Sequence, residues 1–307
     1  MANKGPAAGA KTAVKAETPD KKSKKASAKL DLATIGGLLL AAAGILGGLL
    51  LEGGKLKDVS QVTAAMIVLG GTLGAVMVTN PMPVLMRAIG KLGTVFMDAA
   101  QAPDTVIEEI LTYAGKARKH GVVALEQDAA AVEDPFLRKA LNLAVDGTDL
   151  QELRKMMELE IYMEEQRGEA EAKVYEAAGG YAPTIGIIGA VLGLIQVMKH
   201  LEDIKEVGNG IAVAFVATVY GVASSNLFFL PAGNKLRARL QHTMQIRELM
   251  LDGVVGIVEG LNPKLIRAKL DAYANTGAKP AQPKAKKEAG TKGAPAGQPA
   301  PAAGASA

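Results

Sequence analysis

The chain has 307 residues, no cysteine, 21% charged residues and a formal net charge of +4 at pH 7. That composition excludes a disulfide framework and thiolate chemistry. It also contains four long stretches without one charged residue, and four windows of that kind argue against an ordinary soluble helical protein.

Residues 1–30 consist mostly of Ala, Lys, Pro, Gly and Ser, which bury too little apolar surface to offset chain entropy, so a disordered basic tail is expected. Its lysines suit anionic lipid heads at about 1 kcal/mol each, or plain solvation. A basic leader before an apolar run with Ala41, Ala42 and Ala43 has the outline of a secretory signal. The leader is too long for one, however, and the run exceeds a signal core, so a retained first helix is expected.

A membrane crossing needs about 20 mainly apolar residues. Leu32 to Leu51 meets that before Glu52, and Val59 to Pro81 follows after Asp58, so residues 31–81 read as a transmembrane hairpin. Ala177 to Met198 and Val207 to Asn234 make a second hairpin, residues 177–234. Glycines four apart, Gly44 with Gly48, Gly70 with Gly74 and Gly189 with Gly193, predict close helix packing in the bilayer.

Residues 82–176 are rich in Ala, Glu, Lys, Leu and Met at helical spacing, with Ile107, Ile110, Leu111 and Ala114 on one stripe and no alternating strand pattern. Eighteen acids against eleven bases make this a helical docking domain rather than a lipid-binding one. Beyond the last span, Lys235 to Val258 continues as helix. Asn262 as N-cap and Pro263 at the first helical position predict a short helix to about Tyr273. Residues 235–275 thus close the folded part, and 276–307 form a second low-complexity tail. The fold class is all-α, a polytopic membrane protein with four transmembrane helices and a helical cytoplasmic domain.

Lysine and arginine set the orientation. Eight lysines against three acids precede the first span, and twelve bases against five acids follow the last, so both ends are expected in the cytoplasm of a bacterial inner membrane. The short connectors after spans one and three carry no positive excess and are expected outside.

Catalytic signatures are missing. Gly90-Lys91 is followed by Leu, no H-E-x-x-H occurs, and His120, His200 and His242 are too far apart in sequence to read as a metal cluster. Neither an enzyme nor a bound cofactor or metal is expected. No Asp, Glu, Lys, Arg or His lies inside any span, although an ion path usually marks itself by such a residue. What the last two spans offer is neutral: Thr184 and Gln196, then Thr218, Tyr220, Ser224, Ser225 and Asn226. Such hydroxyls usually bond to their own helix turn, yet their clustering suggests a wet seam facing a partner. Pro183 and Pro231 lie at one membrane depth, where each frees a backbone carbonyl and can bend its helix, or simply marks a helix end.

Leu51-Glu52-Gly53-Gly54, Gly70-Gly71-Thr72-Leu73-Gly74-Ala75, Ala182-Pro183-Thr184-Ile185-Gly186-Ile187-Ile188-Gly189, Phe229-Leu230-Pro231 and Glu259-Gly260 with Asn262-Pro263 and Ile266 together resemble the flagellar motor stator subunit of the MotA family, within the MotA/TolQ/ExbB proton channel superfamily. The resemblance covers about 31–273. It implies a ring, five copies around two single-span MotB-like chains, whose membrane aspartate carries the ion and whose periplasmic domain grips peptidoglycan. It assigns Pro183 and Pro231 to coupling, and Arg118 and Glu126 to contact with the rotor switch-complex ring. Sodium-type relatives carry threonines where this chain has Ala190 and Ala217. With only Thr218 remaining, H+ is expected rather than Na+. An ExbB- or TolQ-like unit powering outer-membrane processes is the alternative, disfavoured by its three spans; a non-conducting scaffold is another.

Overall fold

The computed structural model describes residues 29–98 and 101–275; most of the first tail and all of 276–307 lie outside them. Four helices are long and apolar enough to cross a membrane. Span one is Leu32–Leu51, a single uninterrupted helix. Span two runs over Leu56–Thr79, opening on a 3-10 turn and widening into a π turn at Met66–Gly70.

Spans three and four are parts of much longer rods. One helix of 50 residues covers Leu150–Lys199, about 75 Å at 1.5 Å per residue. The other, Ile204–Val258, joins helix Ile204–Ser224, a π turn at Ser225–Phe229 and helix Leu230–Val258. The expected divisions at 176/177 and 234/235 therefore mark changes of surroundings within unbroken helices. Helix hydrogen bonds are satisfied internally in water and in lipid alike, so the chain has no reason to stop at the interface.

Far from the spans, the predicted stripe packs inward: Ile107, Ile110 and Ala114 of helix Pro103–His120 are buried with Phe136, Leu141, Leu153, Met157, Leu249, Met250 and Val254. Helix Pro263–Asn275 forms as the Asn262–Pro263 pair predicts; Asn262 Oδ1 accepts from Lys264 N at 3.0 Å, and Ile266 and Leu270 complete the core. The segment after span four is thus structurally one body with 103–176.

Between spans and distal domain lies a collar that the sequence pattern did not resolve. Helix Met82–Val95 lays Leu85, Ala88 and Val95 against Val76, Ala172, Tyr175, Ala178, Ala232 and Leu236, while Met82, Met86 and Ile89 stay exposed. Tyr175 donates its hydroxyl to Ala88 O at 2.8 Å. Arg87 and Lys91, one turn apart, converge on Glu171 at 3.2 and 2.7 Å. Glu171 is only 3% exposed, and a carboxylate so desolvated persists because it is paired.

Span one has no buried residue, and the polar contacts described for it to the rest of the chain lie at its base. Asp31 caps it, accepting from Ala33 N and Thr34 N at 3.0 and 3.2 Å, and pairs with Lys235 and, at 3.5 Å, Arg239. The neighbouring Lys29–Leu30 pairs antiparallel with Met97–Asp98, the one strand contact among the described residues. The Lys235 ammonium, followed by the Thr34 amide, holds the Asp31 carboxyl at about 2. Because the folded pKa lies below the ordinary 3.8, this contribution is complete above about pH 4 and is lost as pH falls through about 2. The melting temperatures of wild type and Asp31→Asn should differ by a constant amount above about pH 4 and converge as pH approaches about 2. A gap that stays open throughout would show that Asp31 acts by shape alone.

Candidate ion-coupling site

The two rods touch through glycine from Gly168 to Gly193 of the first. A Cβ placed on Gly193 would stand 2.7 Å from Gly210 O, and one on Gly189 2.7 Å from Ala217 Cβ. On Gly186 it would lie 3.0 Å from Ala217 O, and on Gly221 2.6 Å from Ala182 O. Nearer the distal domain, Gly179 and Gly168 receive the side chains of Leu230 and Leu240. At Gly186, Gly193 and Gly221 these are backbone-to-backbone approaches that only glycine permits, the expected mode of association in a bilayer; at Gly189, Gly179 and Gly168 a facing side chain takes the space instead. The expectation therefore holds for Gly189 and Gly193. It does not hold within this chain for Gly44, Gly48, Gly70 and Gly74, whose Cβ positions meet nothing within 4 Å. Sequence reasoning passed over Gly221, although Gly210, Ala214, Ala217 and Gly221 form a visible small-residue stripe at spacings of four, three and four.

Pro183 sits inside the 50-residue helix. Having no N–H, it leaves the carbonyl of Gly179, one turn back, without its helical donor. Ser225 supplies the replacement: its hydroxyl, 1% exposed, donates to Gly179 O at 2.6 Å across the seam. Ser225 is also the first residue of the π turn, whose end is marked by the Leu230 N–H returning to Ser225 O. Pro231 follows immediately, exposed on the rod's surface. A proline, its substitute donor, a π turn and a second proline thus occupy one level of the two rods. π turns and prolines are the usual sites at which long helices yield.

The other polar residues divide by where their hydroxyls go. Thr184 donates to Tyr181 O at 2.8 Å and Thr218 to Ala214 O at 3.1 Å, each within its own helix. Both keep some exposed surface, as does Ala190. Tyr220 does not face an open seam: its hydroxyl donates to Val59 O at 2.5 Å and accepts from Gln61 N at 3.3 Å, tying span four to the start of span two. Ala217 is not open either. It is fully buried with Ala64, Val68 and Val216, pressed against Gly189, so a threonine there would meet helix backbone rather than an ion. Among the described residues no cluster of His, Asp or Glu could hold a metal.

Arg118 and Glu126 stand at the far tip. Helix Pro103–His120 ends at Gly121, whose φ of +82° favours glycine, and a 3-10 turn, Val122–Leu125, leads into helix Glu126–Ala131. Gly121 breaks the helix between the two residues, which an unbroken helix would set about 80° apart around its axis. Arg118 and Glu126 are both exposed, and neither is in an ion pair, whereas the nearby Lys116 and Asp128 pair at 2.6 Å.

The comparisons agree with this architecture. The motility protein A N-terminal family matches residues 35–119, and the MotA/TolQ/ExbB proton channel family matches 128–249. Motility protein A of Bacillus subtilis is 33% identical over 80% of this chain and 91% of its own length. The structure of C. jejuni MotAB superposes with a TM-score of 0.76 at 31% identity, covering 80% of this chain and 96% of that one. The flagellar MotAB stator complex of Bacillus subtilis gives 0.73 at 32% identity, with 78% and 95% covered. The N-terminal match takes in the first hairpin and runs on through the helix Pro103–His120. With four apolar rods, a glycine seam and these relatives, the chain belongs to the MotA family of membrane-embedded flagellar motor stator subunits.

Proposed function

We propose that this subunit sits in a bacterial inner membrane with both termini cytoplasmic. In this reading it forms a ring, five copies around two MotB-like chains, and passes protons along the face that carries Thr218, Thr184 and Ala190. The observation that carries this reading is the combination of spans without a titratable group and a yielding level at Pro183, Ser225 and Pro231. The spans supply walls but no proton carrier, so an acid must come from a partner helix. Protonation of that acid would change the charge beside the seam, and the two rods would transmit the response to the tip, where Arg118 and Glu126 meet the rotor.

Two measurements on cells rebuilt with this stator test the reading. Rotation speed should follow proton-motive force and ignore replacement of external sodium by potassium; a sodium requirement would reverse the ion assignment. Arg118→Glu and Glu126→Lys should each slow rotation strongly while membrane levels stay normal, because exposed unpaired charges contribute within about 0.5 kcal/mol to stability. Normal swimming in both variants would remove the tip from the rotor interface.

A further inference from the structure

Two cavities meet at Lys235. The apolar one, about 300 Å³, separates the base of span one from the π turn of span four, between Gly37, Leu38 and Ala41 on one side and Leu227, Phe228 and Pro231 on the other. The other, about 430 Å³, opens beside helix Met82–Val95 and carries charged groups on a largely apolar wall: Lys91, Glu164, Glu171 and Arg239, with Leu236, Leu240 and Met244 beside them. Lys235 lines both.

Among the described residues, the charges around this second cavity do not cancel. Arg87 and Lys91 share a single carboxylate, Glu171. Lys235 and Arg239 likewise share only Asp31. Each cluster therefore keeps one positive charge uncompensated, and Glu164, also on the lining, faces Arg247 at 3.9 Å. The level is that of a bilayer surface: Asp31 caps span one, Lys235 lies one turn beyond Pro231, and the collar helix exposes Met82, Met86 and Ile89. Basic pockets between transmembrane helices at that depth suit anionic headgroups.

We propose that the two cavities together bind one anionic phospholipid. Its phosphate lies among Lys91, Lys235 and Arg239, and an acyl chain fills the gap between span one and the π turn. Two largely apolar cavities that share Lys235, one of them rimmed by cations, fit an amphiphile rather than a soluble anion. The same lipid would explain how span one, with no buried residue of its own, is seated beside the bundle. It would also place a replaceable filler against Pro231, at the level where the rods yield.

The inference rests on the membrane placement of the spans and not on torque, so lipid binding and rotation fail independently. Full-length protein in nanodiscs of equal phosphatidylglycerol and phosphatidylcholine is released into native mass spectrometry, and retained lipids are counted. Phosphatidylglycerol should be retained in preference. Lys91→Gln/Arg239→Gln should reduce that preference about five-fold for each cation removed, whereas Lys91→Arg/Arg239→Lys should keep it. The Gln pair strands no carboxylate, since Arg87 and Lys235 still neutralise Glu171 and Asp31. Ala41→Trp, which fills the apolar slot, should lower retention, and excess inorganic phosphate should not. Equal retention of both lipids, an unaltered Gln pair, or displacement by phosphate alone would overturn the proposal. An unaffected Ala41→Trp would reduce it to surface adsorption and refute the acyl slot.

Discussion

Gly221→Val should prevent the chain from accumulating in the membrane and abolish swimming. The added Cβ would stand 2.6 Å from Ala182 O and 3.2 Å from Pro183 Cα, both backbone atoms, so no side-chain rotation relieves it. The rods would have to separate, at a cost at or above the 1–3 kcal/mol typical of overpacking. Separation would also break the Ser225 bond to Gly179, so local strain becomes loss of the whole seam. Gly208→Val, on the same helix but with nothing within 4 Å of its Cβ, is the matched control and should accumulate normally. Immunoblots of membranes and swim-plate diameters read the difference. Equal levels for the two variants would mean that the seam is looser than its geometry.

Pro183→Ala should leave membrane levels intact and stop rotation. It restores an N–H that competes with Ser225 for Gly179 O, adding a helix bond worth about 1 kcal/mol where the rod now yields. Ser225→Ala should do the converse. It strands a buried carbonyl at about 1–3 kcal/mol, lowering both levels and melting temperature. The double variant Pro183→Ala/Ser225→Ala should regain the levels without regaining torque, because the new N–H satisfies the carbonyl that the lost hydroxyl abandoned. Full torque in Pro183→Ala, measured on tethered cells, would deny that this level is where membrane events reach the distal domain.

The contrast between prolines and hydroxyls shows how far sequence reading reaches. Pro183 announces itself, because its chemistry removes a donor wherever it sits. Ser225 is one hydroxyl among several in span four, and nothing local separates it from Ser224, which bonds to Gly221 O in its own helix at 3.2 Å. Only the register of the two rods, which sets Ser225 opposite Gly179, distinguishes them. The surroundings of Tyr220 and Ala217 depend on the same kind of long-range register. A tyrosine hydroxyl suggests an aqueous face and the resemblance singles out Ala217, whereas the crossing of span two ties down the one and buries the other.

The sequence by itself determined that four apolar segments cross a membrane, that the intervening segment is helical, that a helix starts at Pro263 and that the spans lack a titratable group. Each of these follows from composition or from contacts within a few residues. Tertiary structure decided what depends on residues far apart in the chain. It merged the distal helices into one body, seated the collar on Glu171, latched Asp31 to Lys235 and brought Ser225 to the carbonyl that Pro183 leaves free. The last of these is fixed by the register of two long rods packed on glycine and the others by how span one and the collar helix lie against them, and register is a property of the assembled bundle that no single segment encodes.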